Sequence, residues 1–278
     1  MDAETRDKRL LEDELRHAIH NEELVLYYQP IVSAADATPT GFEALIRWNH
    51  PVRGLVQPAE FIPVAEQSNL IVDIGDWTIV QACLTAAGWP EHLKVAVNLS
   101  AKHFRRSDIA VVVKRALAIS GLAARRLEIE ITEGLLLENT AEVIDKLHEI
   151  RALGVTIAMD DFGTGYSSLS HLLKFPFDKV KIDRSFVDAS ADDEVARDFL
   201  KAIASLGKTL RIEITAEGVE TRAQAEFLAE IACHQLQGFF FSQPLDHVAL
   251  AGYLLTHVAP QAPAVKAEAE LRLAALAG

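Results

Sequence analysis

Two adjacent carboxylates end an apolar, strand-like segment and are followed at once by a glycine-containing loop. The segment is Thr156-Ile157-Ala158-Met159, the acids are Asp160 and Asp161, and the loop begins Phe162-Gly163-Thr164-Gly165-Tyr166. Two carboxylates this close disfavour each other's ionised form unless a cation lies between them. Carboxylate oxygens are the ligands that Mg²⁺ and similar hard cations prefer. The pair therefore predicts a divalent metal site.

Other apolar segments also place one acid, amide or lysine near their ends. Counting the acid pair's own segment, six segments contribute Glu43, Asn98, Glu130, Asp160, Lys181 and Glu217. In a parallel barrel the carboxyl ends of the strands meet at one mouth, so residues far apart in sequence come together there. The positions of these residues favour such a barrel.

Strand-like and helix-like segments alternate along the whole chain. The predicted strands are Leu24 to Ile31, Gly41 to Trp48, Lys94 to Leu99, Arg126 to Ile131, Val155 to Met159, Lys179 to Ile182, Arg211 to Ala216 and a short one near Gln237 to Phe241. The predicted helices include Asp73 to Ala87, Asp108 to Ser120, Ala141 to Leu153, Glu194 to Leu206 and Arg222 to Ile231, with Gly121, Gly154 and Gly207 as stops. About eight strands in such an alternation fit an α/β barrel better than an open sheet, which the pattern still allows.

Composition narrows the classes of function. The chain has 278 residues, half of them hydrophobic, enough for one barrel-sized domain or two smaller ones. Its 27 Lys and Arg against 40 Asp and Glu give a net charge of -13, which argues against binding to a nucleic-acid polymer or an anionic membrane surface. A small anionic substrate is compatible with this charge if metal ions or a few local cations neutralise it.

The cysteines predict the cellular compartment of the domain, and the chain ends predict that it is part of a larger protein. Cys83 and Cys233 lack metal-type spacing, which predicts reduced core residues of a cytoplasmic protein. The first residues contain no signal-peptide segment, and no apolar run approaches membrane-spanning length. Residues 1–21 read as a charged linker helix and residues 259–278 as a flexible, Ala- and Pro-rich tail. Both ends suggest a domain attached to something larger.

Eight short motifs together resemble those of a known protein family. Glu43-Ala44-Leu45 is joined, in order along the chain, by Tyr28-Gln29-Pro30, Val97-Asn98-Leu99-Ser100, Glu130-Ile131-Thr132-Glu133, Asp160-Asp161-Phe162-Gly163-Thr164-Gly165-Tyr166, Lys181-Ile182-Asp183-Arg184, Ala216-Glu217-Gly218-Val219-Glu220 and Gln237-Gly238-Phe239. Together they resemble the EAL-domain family of bacterial cyclic di-GMP phosphodiesterases over residues 22–258. The resemblance implies a modified TIM (β/α)8 barrel with one antiparallel strand.

The resemblance also implies the chemistry, which is two-metal hydrolysis of cyclic di-GMP to linear pGpG in biofilm-related bacterial signalling. One Mg²⁺ or Mn²⁺ would be held by Glu43, Asn98, Glu130 and Asp160, and a second by Asp160, Asp161 and Glu217. Lys181 would orient or deprotonate the attacking water, with Glu43 and Glu220 as further catalytic groups. Glu133 would hold the loop from Asp161 to Tyr166 so that Asp161 faces its metal.

The implied substrate contacts are Gln29, Arg47, Asp183 and Gln237. Arg47 shares a strand face with Glu43, and its guanidinium can grip a phosphate oxygen. As partners, the resemblance implies a homodimer and a larger multidomain signalling protein, with an upstream GGDEF domain and a membrane anchor as options for the parent.

Simpler readings compete with each of these assignments. A single acid on a strand is more often a surface residue, and Lys181 or Arg47 alone could be structural. For the whole domain, the alternative functions are a non-catalytic cyclic di-GMP receptor and an unrelated metal-dependent barrel enzyme acting on another phosphodiester. The complete set of ligand-type residues favours the phosphodiesterase.

The chain departs from the usual family pattern at a few positions. Asn69 and Ala232 stand where glycine is common, Met159 stands where leucine is common, and Thr215 stands where an apolar residue is common. None of the four is an expected metal ligand, so we expect changes in loop geometry and packing only.

Overall fold

The barrel consists of eight strands that close on themselves. The computed structural model describes residues 3–136, 141–164 and 175–258. The barrel strands are β1 (Leu24–Ser33), β2 (Pro39–His50), β4 (Lys94–Leu99), β5 (Leu127–Thr132), β6 (Thr156–Phe162), β7 (Lys179–Ile182), β8 (Glu213–Ala216) and β9 (Gln235–Leu236). A short strand, β3 (Gly54–Val56), pairs with the end of β2.

One barrel strand runs against its neighbours. β1 pairs antiparallel with both β2 and β9, whereas β2, β4, β5, β6, β7, β8 and β9 follow one another in parallel. The β1–β2 register places Gln29 opposite Glu43. The predicted modified TIM barrel with one antiparallel strand is therefore confirmed.

Helices cover the outside of the barrel. They are α1 (Ala3–His20), α2 (Pro58–Ser68), α3 (Leu70–Ala87), α4 (Ala101–Arg106), α5 (Ile109–Ser120), α6 (Glu133–Leu136), α7 (Ala141–Ala152), α8 (Arg184–Ala189), α9 (Glu194–Leu210), α10 (Arg222–Glu230) and α11 (His247–Tyr253). Their ends follow local rules. For example, the Asp108 side chain accepts a hydrogen bond from Val111 N at the start of α5, and Gly121 at φ 71° ends that helix.

Three predictions of element position were wrong: the end of α9, the start of β8 and the place of the last strand. Gly207 does not stop α9, which continues to Leu210 and ends at Arg211 in a left-handed conformation, so β8 begins only at Glu213. A Cβ on Gly207 would lie 2.4 Å from Ile214 Cγ1, and this close packing against β8 explains the glycine. The last strand covers Gln235–Leu236, and the segment from Gln237 to Phe241 lies outside it.

The core is built where the outer faces of the strands meet the helices. Phe42, Val95 and Ile129 are completely buried in this layer. Within the described ranges, α3 is a helix long and apolar enough, by length and composition, to cross a membrane. The sequence analysis did not predict a run of this length. Eight of its residues are buried in the fold, as expected for a core helix.

The structure describes the N-terminal helix of the chain and leaves its C-terminal tail undescribed. In α1, Leu15 and Ala18 are fully buried beside Trp48 and Phe61, so the predicted helix is present and packs on the barrel wall. Its role as a linker stays a prediction. The predicted tail at 259–278 lies outside the described residues.

Two of the departures from the family pattern occur at unusual backbone positions. Asn69 has φ 69° and Ala232 has φ 63°, in the left-handed region that glycine enters at little cost. Asparagine tolerates this region better than alanine does. The structure thus keeps a glycine-type conformation at both positions.

Candidate active site

A lysine lies among four carboxylates at the mouth of the barrel. Lys181 Nζ is 2.6 Å from Glu217 Oε1, 2.7 Å from Glu130 Oε2, 3.4 Å from Asp160 Oδ1 and 3.5 Å from Glu43 Oε2. These residues come from β2, β5, β6 and β7 and from the position directly after β8. The structure therefore brings together five of the residues proposed from sequence.

Glu43 accepts hydrogen bonds from two side-chain amides. Asn98 Nδ2 donates to Glu43 Oε1 at 2.5 Å, and Gln237 Nε2 donates to Glu43 Oε2 at 2.6 Å. Gln237 Nε2 also donates to Gln29 Oε1 at 3.1 Å, and Gln29 Nε2 donates to the Ser242 carbonyl. These bonds fix the orientation of the Glu43 carboxylate and link it to two predicted substrate contacts.

A β-bulge places the acid pair. Between the pairs Met159–Val180 and Phe162–Ile182, β6 has two residues where β7 has one. The two residues are Asp160 and Asp161, and Asp161 has φ 55°. In a regular strand, neighbouring side chains point to opposite faces, and a bulge interrupts this alternation. The described part of the predicted loop ends at Thr164, so Gly165 and Tyr166 lie outside the described residues.

Lys181 is charged at neutral pH. Burial disfavours its ammonium, but Asp160, Glu130, Glu217 and Glu43 outweigh this effect and raise the pKa of Lys181 well above its ordinary value. Burial also opposes ionisation of Glu43, yet Lys181 and the amide hydrogen bonds lower the pKa of Glu43 below its ordinary value. Glu43 and Lys181 thus form an ionised pair.

If all the acids of the cluster were ionised, their negative charge would exceed what one lysine can balance. Burial raises the pKa of Glu130 well above its ordinary value, and burial raises the pKa of Glu217 to about 8. Burial and the neighbouring Asp160 also raise the pKa of Asp161. Without a further cation, the cluster takes up protons.

The donor set fits hard divalent cations. Glu130 Oε1 is buried and accepts no hydrogen bond from any residue that the structure describes, and the surrounding donors are carboxylate and amide oxygens. Within 3–136, 141–164 and 175–258, no three acidic, His or Cys side chains are arranged so that they could hold a metal ion between them. The carboxylates converge on Lys181 Nζ instead.

The remaining predicted residues lie around this centre. Glu133 is buried at the start of α6. Glu220 is exposed, with Oε1 3.9 Å from Arg184 Nη2. Arg47 is half-buried, with its guanidinium 5.6 Å from the centre of the Tyr27 ring, and burial lowers its pKa. Asp183 caps α8 by accepting a hydrogen bond from Ser185 N at 3.0 Å. None of these four contacts Lys181 in the described structure.

Sequence reasoning missed three residues near the centre. Arg184 and Phe239 line a cavity together with Gln29 and Glu43. Lys179 lies one layer deeper in the barrel, with Nζ 2.7 Å from Glu128 Oε2. A signal was available for Arg184, since it directly follows Lys181-Ile182-Asp183. Lys179 precedes Lys181 by two positions, which puts both on one strand face.

The fold and the site together define a modified TIM barrel with an acidic, lysine-centred mouth. The family model described as the EAL domain matches residues 12–244. The chain belongs to the EAL-domain family.

Two relatives from Pseudomonas aeruginosa illustrate the similarity. The chain is 41% identical over 261 residues to the cyclic di-GMP phosphodiesterase NbdA, covering 92% of this chain and 33% of NbdA. It is 41% identical over 249 residues to the bifunctional diguanylate cyclase/cyclic di-GMP phosphodiesterase MucR, covering 88% of this chain and 36% of MucR. The chain thus spans about a third of the length of these relatives.

Solved structures show the same fold. The MucR phosphodiesterase in complex with cyclic di-GMP aligns with a TM-score of 0.83 at 41% identity, over 87% of this chain and 99% of that chain. The EAL enzyme Bd1971, bound to cAMP and cyclic di-GMP, aligns with a TM-score of 0.83 at 34% identity, over 91% of this chain and 69% of that chain.

Proposed function

We propose that this domain hydrolyses cyclic di-GMP to linear pGpG with two divalent cations, Mg²⁺ or Mn²⁺. The observation that carries the proposal is the convergence of Glu43, Glu130, Asp160 and Glu217 on Lys181 at the barrel mouth. Membership of the EAL-domain family and the names of NbdA and MucR support the choice of substrate.

The ligand assignment is the one that the family resemblance implies, and the oxygen donors at the barrel mouth support it. We assign one cation to Glu43, Asn98, Glu130 and Asp160 and the other to Asp160, Asp161 and Glu217. When bound, two such cations neutralise phosphate charge and activate a water for in-line attack.

Lys181 has two tasks in this proposal. As a charged ammonium it donates hydrogen bonds to the attacking water and orients it, and it balances the negative charge of the neighbouring acids. The water releases one proton to solvent as its oxygen forms a bond to phosphorus, and the bond from phosphorus to the ribose 3′ oxygen breaks. The 3′ oxygen then takes up a proton, and the product carries a 5′ phosphate, as pGpG does.

The surrounding residues bind and position. Gln237 holds Glu43 in place and is itself bonded to Gln29. Both glutamines present amide groups toward the substrate, and Arg47 contacts a phosphate oxygen. Asp183 combines its cap of α8 with a substrate contact. We assign Glu133 to holding the loop that follows Asp161, and Glu220 to supporting the far side of the site.

The setting of the domain is also part of the proposal. Because the chain spans about a third of its relatives, we propose that it acts within a larger multidomain signalling protein, as a cytoplasmic domain and a homodimer. An upstream GGDEF domain and a membrane anchor are candidate features of the parent protein.

A turnover assay of variants tests the site. Lys181→Met and Glu43→Gln are expected to lower the rate of cyclic di-GMP hydrolysis by at least about 100-fold, the scale of general acid–base groups. Lys201→Met, which changes an exposed lysine of α9, is the matched control and should leave the rate unchanged. Unchanged turnover in both site variants would refute the assignment, whereas tight binding without turnover in the wild type would favour the receptor alternative.

A further inference from the structure

Arg184 is the cationic side chain of the cavity beside the proposed metal site. This cavity has a volume of about 160 Å³ and is lined by Gln29, Glu43, Arg184, Glu217, Gly218, Glu220, Gln237, Gly238 and Phe239. Among these described lining residues, Arg184 is the one cation. It therefore supplies positive charge next to a strongly acidic centre.

The backbone holds Arg184 at this position. Gly218 follows Glu217 with φ 68°, and a Cβ on Gly218 would lie 2.3 Å from Arg184 Cβ and 3.1 Å from Arg184 Cα. The loop after β8 is thus packed directly on the first residue of α8. Asp183 caps the same helix. This packing keeps the stem of Arg184 beside Glu217.

The guanidinium itself is only loosely held. Arg184 Nη2 is 3.2 Å from Asp188 Oδ2 and 3.9 Å from Glu220 Oε1, and the side chain is 60% exposed. An exposed ion pair of this kind contributes little to stability. A guanidinium has five N–H donors in a planar fork that matches a phosphate. A bound phosphate can therefore replace the exposed partner.

The other nearby cations that the structure describes, Lys181 and Arg47, do not line this cavity. Lys181 is 1% exposed and surrounded by carboxylates. Arg47 is absent from the described cavity lining and lies over the Tyr27 ring. A cyclic dinucleotide carries two phosphodiesters, and only one of them can occupy the hydrolytic centre at a time. The second phosphodiester carries a negative charge that a neighbouring guanidinium can bind.

We propose that Arg184 binds the phosphodiester that is not cleaved, so that it distinguishes a cyclic dinucleotide from substrates with one phosphodiester. The inference rests on the proposed function. Its simple competitor is an ordinary surface pair of Arg184 with Asp188 along α8. The pair of Arg222 with Glu226 along α10, at 2.7 Å and with 82% of Arg222 exposed, is the matched example of such a pair.

The test compares two substrates and three variants. The full chain is assayed with cyclic di-GMP and with bis(4-nitrophenyl) phosphate, which has one phosphodiester, in the wild type, Arg184→Gln, Arg184→Lys and Arg222→Gln. For Arg184→Gln we expect KM for cyclic di-GMP to rise about tenfold or more, the scale of a lost charged hydrogen bond, with kcat within about threefold. KM for bis(4-nitrophenyl) phosphate should not change, Arg184→Lys should recover part of the loss, and Arg222→Gln should behave as the wild type.

Failure of this inference is distinguishable from failure of the proposed function. If the wild type hydrolyses cyclic di-GMP and Arg184→Gln leaves KM within about twofold, or weakens both substrates equally, the inference is wrong. If the wild type binds cyclic di-GMP without turnover, the proposed hydrolysis is wrong, and the dissociation constants from calorimetry then replace KM in the same comparison. Absence of both turnover and binding overturns the two together.

Discussion

A buried ion pair beneath the barrel mouth leads to a prediction in which single and double variants differ sharply. Lys179 Nζ lies 2.8 Å from Glu128 Oε1 and 2.7 Å from Glu128 Oε2, and the two side chains are 2% and 1% exposed. The pair reaches from β7 to β5 across β6, where Ala158 is the register partner of Lys179. The small alanine leaves space for the lysine chain.

The expected magnitudes follow from this burial. Lys179→Met alone leaves a buried carboxylate without its cation, which should lower the free energy of unfolding by about 3–5 kcal/mol. Glu128→Leu alone leaves a buried ammonium and should cost a similar amount. The double variant replaces both charges by apolar groups, and its stability should equal that of the wild type or exceed it by up to about 4 kcal/mol.

Urea unfolding of the metal-free chain, in the presence of a chelator, measures these differences. Arg222→Gln removes one partner of an exposed ion pair and serves as the control, with no measurable change expected. The reasoning is refuted if Lys179→Met costs less than about 1 kcal/mol, or if the double variant loses the sum of the two single losses.

Three more predictions use the same unfolding assay. Ala232→Gly should raise the free energy of unfolding by about 0.5–1 kcal/mol, because the relief of the left-handed backbone at φ 63° outweighs the greater flexibility of the unfolded chain. The control Ala251→Gly in α11 should lower the free energy of unfolding by about 1 kcal/mol. No gain from Ala232→Gly would contradict the argument. Gly207→Ala should lower the free energy of unfolding by about 1–3 kcal/mol, although alanine has the better helix propensity, because the new Cβ would lie 2.4 Å from Ile214 Cγ1. A gain in the free energy of unfolding would show that the packing adjusts freely. The Glu217 pKa is about 8 in the fold against an ordinary 4.5, so the stabilisation linked to its proton is complete below about pH 4.5 and is lost as the pH rises through about 8. In the metal-free chain, Glu217→Gln should reduce this loss of unfolding free energy with rising pH. Equal pH dependence of the unfolding free energy in the two proteins would contradict the prediction.

The centre of the site could be predicted because parallel strand ends converge. Glu43, Glu130 and Lys181 lie in strands that the apolar pattern indicates, Asp160 directly follows such a strand, and the closed barrel brings the four together. This inference needs only strand identity and direction. It does not require knowledge of loop conformation.

The remaining features depend on tertiary contacts that no local pattern reports. The bulge that places Asp161 requires the pairing of β6 with β7, and Arg184 lines the cavity where Gly218 packs closely against it. Gly207 reads as a helix stop in sequence, yet its contact with Ile214 gives it a packing role. Such positions become interpretable only when the neighbouring element is in place.

The most direct test of the central claim is the identity of the reaction product. The chain is incubated with cyclic di-GMP and Mg²⁺ or Mn²⁺, with a chelator in a parallel sample, and the nucleotides are separated by chromatography. The account predicts that pGpG forms with the metal and that cyclic di-GMP stays intact with the chelator. Intact cyclic di-GMP in both samples, or equal cleavage with the chelator, would contradict it.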